Sequence, residues 1–329
     1  MLTTLWTPLA WSAAGTQRRY EYFAAKLSVQ HFWLTVTVEP MQVTLVYLSR
    51  GVDGGLAAAR NFFHAYQAHS PGCAHELIVI AKGWSIIKGR EDLAQLVDAN
   101  GGRIVEMPDD GFDWGAYMRV APLLTHEWVS FLNTHSRPRV EGWLNTLKTA
   151  AEKSGAGVGS VGATASWESS AGTSPSELST ANYKQLLNSP KEVMHCLARF
   201  LKNIWAFPAF PNPHLRSNAF IVRARLFQEF VATQSIPRGK RDAHKMESGR
   251  SGFSAYLKNR GLAILVASAN GQSHEPKHWL DSQTFRVPGQ SNLLVSDNQT
   301  TAYEIANINQ QKILECRAWG SPVKSYVQR

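Results

Sequence analysis

The chain has 329 residues, 44% of them hydrophobic, with 34 Lys and Arg against 25 Asp and Glu, a formal net charge of +9. That composition belongs to a soluble globular protein able to bury a large core, as one α/β unit or two lobes. The basic excess points to an anionic partner, whether phosphorylated ligand, nucleic acid or acidic membrane surface. Cys73, Cys196 and Cys316 are scattered and lack metal-ligand spacing, which predicts thiols in a reducing compartment and no zinc site.

Residues 1–40 are rich in Trp and Thr with no steady period, and they read either as a peripheral helical extension or as an overextended start before Met41. "MLTTLWTPLAWSAAG" has no basic leader and no long apolar run, so no signal peptide or transmembrane helix is expected, and a cytoplasmic location follows. From Met41 a regular alternation begins. "QVTLVYLSRG" reads as a buried strand, 54–69 as a helix, "HELIVIAKG" as a strand, "REDLAQLVDANGG" as a helix with an Asn-Gly-Gly stop, and "GRIVEMP" as a third strand. After the polar "DDGFDWGAY" come a fourth strand "EWVSFLN", the crossover helix "VEGWLNTLKTAAEKSG" and a fifth strand "GVGSVGATASWES".

Near residue 170 a Ser/Thr/Gly stretch reads as a lid or linker. A helix at about 190–204, a proline-rich extended path, a sixth strand "SNAFIVR", the polar "RGKRDAHKMESGRSG", a helix "FSAYLKNRG", a strand "LAILVAS" and a helix at about 300–318 complete the chain. Residues 41–170 thus form one half and 171–329 a second half of one domain. The alternation predicts a mostly parallel sheet with helices on both faces, whose ligands bind beyond the carboxyl ends of the strands. That places Ser49–Asp53, Lys82–Ser85, Asp109–Tyr117, Asn133–Ser136 and Ser166–Ser169 at the site.

Two clusters carry the most chemistry. Asp113, with Trp114, Gly115 and Tyr117 beside it, is placed to offer a carboxylate to a ribose or sugar hydroxyl, or to cap a helix starting near Ala116. Residues 238–250 hold Arg238, Lys240, Arg241, Asp242, His244, Lys245, Glu247 and Arg250. A carboxylate among cations stays ionised and suits a general base, and the same run reads as a solvated loop capping the next helix through Glu247 or Ser248. His214, Arg216 and Asn218 in "PNPHLRSNAF" stand before an apolar strand, where they also suit backbone groups at a bend. There is no Gly-x-Ser-x-Gly, Walker or dinucleotide loop, and no aromatic and basic sheet face for nucleic acid.

"FDWGAYMRVAPLL", "VSFLNTHSRP", "VEGWLNTL", "VGSVGATASWES", "FPAFPNPHLRSNAFIV" and "MESGRSGFSAYLKNRGLAILV" follow in this order. Together they resemble bacterial glycosyltransferases of the GT-A type, including the rhamnan-synthesis type that builds surface polysaccharide, over about 43–320. The resemblance implies a GT-A-like, Rossmann-like α/β fold and a hexosyl transferase. Its donor would be a nucleotide sugar, its acceptor a glycan or lipid-linked glycan of polysaccharide or lipopolysaccharide type, and its base a carboxylate that gives an inverting reaction.

The resemblance further implies that Ser49, Asp113 and Gly115 line the nucleoside site, Asn133 and His135 lie near the diphosphate, and Trp167 and Glu168 border donor or acceptor. Glu247 becomes the candidate base, Asp242 the second, and Arg250, His244 and Lys245 balance phosphate charge. In such folds the fourth strand commonly ends in Asp-x-Asp for a divalent cation. Here the matching stretch is Asn133-Thr134-His135, a poor ligand set for Mg²⁺, although His can bind Mn²⁺. Lys82 stands where an acidic residue often faces the base. Transfer with cations in place of the metal is one repair, and loss of activity with retained binding is the other.

Overall fold

A computed structural model describes residues 42–85, 87–171 and 201–323. The chain divides into Met1–Pro40 and Met41–Arg329, and everything described belongs to the second unit. The expected extension at 1–40, the Ser/Thr stretch after residue 171 and the first part of the 190–204 helix lie outside the described residues, while 201–206 is helical.

The first half follows the alternation closely. β1 (Val43–Arg50), α1 (Gly55–Ala68), β2 (His75–Lys82), α2 (Arg90–Ala99), β3 (Arg103–Met107), α3 (Phe112–Val120), β4 (Trp128–Leu132), β5 (Arg137–Pro138) and α4 (Trp143–Lys153) run in order. Then come β6 (Val158–Gly162), β7 (Ala165–Ser166), β8 (His214–Leu215), β9 (Phe220–Arg223), α5 (Ala224–Ala232), α6 (Lys240–Ser248), α7 (Phe253–Asn259), β10 (Ala263–Ala267) and β11 (Ser273–His274). β12 (Val295–Ser296), α8 (Asn298–Ile305) and α9 (Ile308–Trp319) finish the described chain.

Eight strands form one sheet in the order β11-β10-β6-β9-β4-β1-β2-β3. β1 pairs in parallel with both β2 and β4, β2 with β3, and β6 with β10. Side chains alternate across the sheet because a strand repeats every two residues. Val43, Leu45 and Tyr47 of β1 pack with Phe62 and Phe63 of α1, Leu93 of α2 and Trp143 and Leu147 of α4. Val46 and Leu48 face the other way, into Trp114 and Tyr117 of α3, Phe227 and Phe230 of α5 and Phe253 of α7. Both faces are covered, so the central strands read as continuous apolar runs. Each fully buried aromatic ring contributes about 1.5–3 kcal/mol. The expected mostly parallel α/β sheet flanked by helices is thus what the chain forms.

Three local expectations are corrected, and one strand acquires its direction. The fifth strand breaks after Gly162, and its tail becomes β7, which pairs with β8 in a separate ribbon through Ser166 and His214. The sixth strand, β9, runs antiparallel between β4 and β6. The polar run 240–248 is helical, because Lys, Arg, Ala, Met and Glu favour helix and Asp242 pairs with Lys245 one turn on. The C-terminal helix is two helices, since Asn307 starts a new one through a capping box with Gln310.

Candidate active site

Because β9 is antiparallel, its amino end lies beside the carboxyl ends of β4 and β6. Residues 214–219 therefore join the loops after β1, β2, β3 and β4 at one edge of the sheet. Lys82, the last residue of β2, has a side chain only 1% exposed. Its Nζ donates to the carbonyls of Asp110 and Phe112, each at 2.7 Å, and lies 3.9 Å from Asp109 Oδ1. Burial lowers its proton affinity and Asp109 partly restores it. Lys82 is therefore the clamp that holds the β3–α3 loop. Arg50 fixes the same loop by a two-pronged contact with Asp109, at 2.7 and 3.2 Å, and Asp110 pairs with Arg119 at 2.7 Å.

Asp113 does not cap a helix starting near Ala116. α3 begins at Phe112 after Gly111, and Asp113 sits in its first turn with no capping bond. Burial, and next the charge of Glu247, raise Asp113 from 3.8 to about 6, against the pull of Lys82. α3 packs on α6, the helix that carries Glu247. Glu247 is correspondingly no loop residue and caps nothing. It is half-buried on α6, and its Oε1 accepts the Ser217 N–H at 2.7 Å. α7 starts at Gly252 without any side-chain cap.

Burial pushes the Glu247 carboxyl up, but Arg216, His214, the Ser217 N–H and His244 outweigh it and hold Glu247 below the usual carboxylate range. Burial also keeps the His214 ring below its ordinary value, in spite of Glu247. Its Nδ1 pairs with the Asn212 carbonyl at 2.8 Å. Two carboxyls on packed helices thus have their proton affinities driven apart, the arrangement from which acid and base roles are read.

The Asn133–Ser136 turn is built from its own polar groups. Asn133 Oδ1 accepts from the His135 N–H at 3.1 Å and from Ser136 Oγ at 3.0 Å, and Ser136 Oγ also reaches Asn218 Oδ1 across the sheet. Tyr47, buried against Phe62, donates to the Thr134 carbonyl at 3.0 Å. His135 Nε2 lies 3.2 Å from Asp53 Oδ1 and ties this turn to the β1–α1 turn. Among the described residues no group of three or more His, Cys, Asp or Glu is placed to hold a metal ion. With Asn133 Oδ1 occupied twice and one carboxylate beside His135, the donor set does not fit Mg²⁺ or Mn²⁺.

The other expected residues divide. Ser49 is fully buried at the end of β1, its Oγ has no hydrogen-bond partner among the described residues, and its carbonyl accepts Trp84 Nε1 at 2.9 Å. Gly115 is a packing residue, since a Cβ there would meet the Asp110 carbonyl at 3.1 Å. Trp167 donates to the Pro276 carbonyl at 3.0 Å and meets Trp319 edge-on, while Glu168 lies 3.5 Å from Arg286.

On a helix of 3.6 residues per turn, Asp242 and Lys245 project roughly 140–160° away from Glu247. They pair with each other at 2.9 Å, which holds Asp242 below its usual range. Arg250 turns to the Ile204 carbonyl, at 3.3 and 3.4 Å, and lines an open groove with Trp205, Arg241 and Lys245. Of the expected cations only His244 contributes to the charge around Glu247. Arg216 and His214, singled out as possible bend-formers, stand in the site; Ser217 of the same stretch joins them through its backbone N–H, and Arg286 does so without any motif that marks it.

The chain matches no protein-family model and no curated protein. Solved structures give distant likenesses. A CMP:2-keto-3-deoxy-manno-octonic acid synthetase complexed with CTP is 12% identical, with TM-score 0.39, over 68% of this chain and 88% of that one. The mannosyltransferase PcManGT from Pyrobaculum calidifontis, in complex with GDP-Man and Mn²⁺, is 13% identical, with TM-score 0.37, over 64% of this chain and 52% of that one. A cytidylyltransferase from Leptospira borgpetersenii serovar Hardjo-bovis is 8% identical, with TM-score 0.35, over 60% and 67%. At such scores and identities these likenesses do not assign a chemistry.

Proposed function

We propose that the chain is a glycosyltransferase that moves a hexosyl group from a nucleotide sugar to a surface polysaccharide or lipopolysaccharide-type acceptor, with inversion. The observation that carries this reading is that Asp113 and Glu247 stand on two helices packed together at the carboxyl edge of a mostly parallel sheet, each charge acting on the same corner, with Arg216 and His214 acting on Glu247. The motif resemblance supports it. The nucleoside lies over the β1–β3 loops, with Asp113 toward its ribose. Glu247, ionised at neutral pH, takes the proton of the acceptor hydroxyl as that oxygen bonds to the anomeric carbon. The bond from that carbon to the donor phosphate oxygen breaks, and the nucleoside diphosphate leaves with the electron pair.

A second reading, a sugar-nucleotide or glycan-binding protein without turnover, is favoured by the engagement of Asn133 and His135 within the fold. The basic excess, and Trp205 at 82% exposure beside Leu201, Ile204, Lys202 and Arg241, support peripheral contact with the anionic inner face of a cytoplasmic membrane, where lipid-linked acceptors reside. Among the described residues no helix is long and apolar enough to cross a membrane.

Thermal stabilisation by a panel of nucleotides and nucleotide sugars, with EDTA or Mn²⁺, tests the proposal, since a ligand raises apparent stability by mass action. Stabilisation by one nucleotide sugar that survives EDTA is expected, followed by transfer to a glycan acceptor. Binding without transfer selects the second reading, and no stabilisation by any donor defeats both.

A further inference from the structure

Two arginines at the same edge are given no ligand in the reaction drawn above. Arg216 follows β8 and leads into the amino end of β9. Arg286 lies between the turn at Pro276–Ser282 and β12 and is only 7% exposed. Their guanidinium carbons sit 4.7 Å and 4.9 Å from the centroid of one buried ring, Phe285. The Nε of each is buried and has no hydrogen-bond partner among the described residues. Arg286 Nη1 stands 3.5 Å from Glu168 Oε2, and Nη2 donates to Gln299 Oε1 at 2.9 Å.

Glu247 offsets the charge of Arg216, but the acids nearest Arg286 do not balance it. Asp297 spends its Oδ1 on the Gln299 and Thr300 backbone N–H groups, and Glu168 is 42% exposed at the margin of hydrogen-bond range. Burial and then Arg216 bring the Arg286 guanidinium down to about 10, and Glu168 and Asp297 only oppose that. Arg286 also holds φ 45, a left-handed backbone that few side chains accept. Like charges gathered on one ring, one of them desolvated, cost stability unless an anion completes them. Planar guanidinium groups with unpaired N–H donors match the oxygens of phosphate or carboxylate.

We infer that Arg216 and Arg286, flanking Phe285, form an oxyanion subsite that takes a phosphate or carboxylate group of the substrate. The two sources of that chemistry are the donor's diphosphate and an acidic group on the acceptor glycan. Only this naming of sources rests on the glycosyl-transfer reading. Arg216 also faces Glu247 electrostatically, so an anion seated here lowers the positive potential on the candidate base and raises its proton affinity.

The test uses the full chain with inorganic pyrophosphate and methyl glucuronide, followed by calorimetry and thermal stabilisation. Wild type, Arg216→Gln, Arg286→Gln and the control Arg225→Gln, whose side chain is 92% exposed on α5, are compared. At least one anion is expected to bind wild type and to lose about tenfold or more in affinity in both subsite variants, with the control unchanged. Loss confined to pyrophosphate assigns the donor's diphosphate, and loss confined to glucuronide an acidic acceptor. Absence of binding by either anion to wild type, or equal binding by the variants, overturns the inference. If Arg286→Gln does not fold, the half-buried Arg216→Gln decides. Neither probe contains a nucleoside, so the result stands apart from whether any nucleotide sugar binds.

Discussion

Glu247 and Asp113 carry opposite expectations for a change from carboxyl to amide. Glu247→Gln keeps the shape and an oxygen for the Ser217 N–H but cannot take a proton. A loss of roughly a hundredfold or more in transfer is expected, with donor affinity kept. Stability should fall by about 1 kcal/mol, because the amide is a weaker acceptor and a weaker partner for Arg216. Retained transfer with lowered stability would remove Glu247 from the mechanism.

For Asp113 the folded value, about 6, lies above the ordinary 3.8, so the folded state holds the proton more tightly than the unfolded chain. Stability from this group is present below pH 4 and is lost as pH rises through 6. Asp113→Asn should therefore be more stable than wild type by on the order of 1–3 kcal/mol at pH 8 and about equal at pH 4. Urea midpoints at the two pH values check this, and a difference that ignores pH would contradict it. If Asp113 holds a ribose, nucleotide affinity falls in the same variant.

At the scale of elements, the β3–α3 loop depends on the end of β2. Lys82→Met keeps most of the volume but leaves the Asp110 and Phe112 carbonyls without their donor, and a loss of roughly 2–4 kcal/mol is expected. Denaturant unfolding measures it, and a change within 0.5 kcal/mol, the range of an ordinary surface substitution, would show that Lys82 does not hold the loop. The α6–α7 corner has a different constraint. A Cβ at Gly252 would come 2.4 Å from the Lys245 carbonyl and one at Gly249 2.5 Å from it, so "SGRSG" is a close crossing of backbone that only glycine permits. These two glycines fix the corner beside Glu247: they end α6 one residue after it, at Ser248, and turn the chain into α7, which packs against Phe220 and Phe230.

At the scale of the molecule, charge and surface are read together. Trp205, Lys202, Arg241 and Arg250 lie on one exposed groove, so the chain should sediment with anionic vesicles at low salt and much less with neutral ones. Trp205→Ala combined with Arg241→Gln should weaken that binding several-fold, with the fold intact because both side chains are exposed. Equal sedimentation with anionic and neutral vesicles would count against a membrane role.

The first half of the fold was legible in the sequence because a parallel sheet buried on both faces writes itself as apolar runs separated by amphipathic helices, and β1 to α4 obey that rule. Asp113 and Glu247 were also visible, as carboxyls at an expected strand end and in a charged run. What periodicity carries no trace of is direction and long-range pairing. "SNAFIVR" reads the same whether its strand runs parallel or antiparallel, yet only the antiparallel course of β9 brings His214, Arg216 and Ser217 to the edge. A helix with few apolar positions, such as α6, resembles a loop, and the side of it that faces inward is set by the partner it packs on. The same holds for Lys82, a bare cation in the sequence and a buried clamp in the structure. It holds too for Arg286, which follows the buried Phe285 in an irregular stretch and meets Arg216 only because β8 and the chain ahead of β12 converge on that ring. Composition and local pattern determined the sheet and its helices. The pairing of charges across its edge was decided by tertiary structure, because Coulomb interactions depend on distance through space and not along the chain.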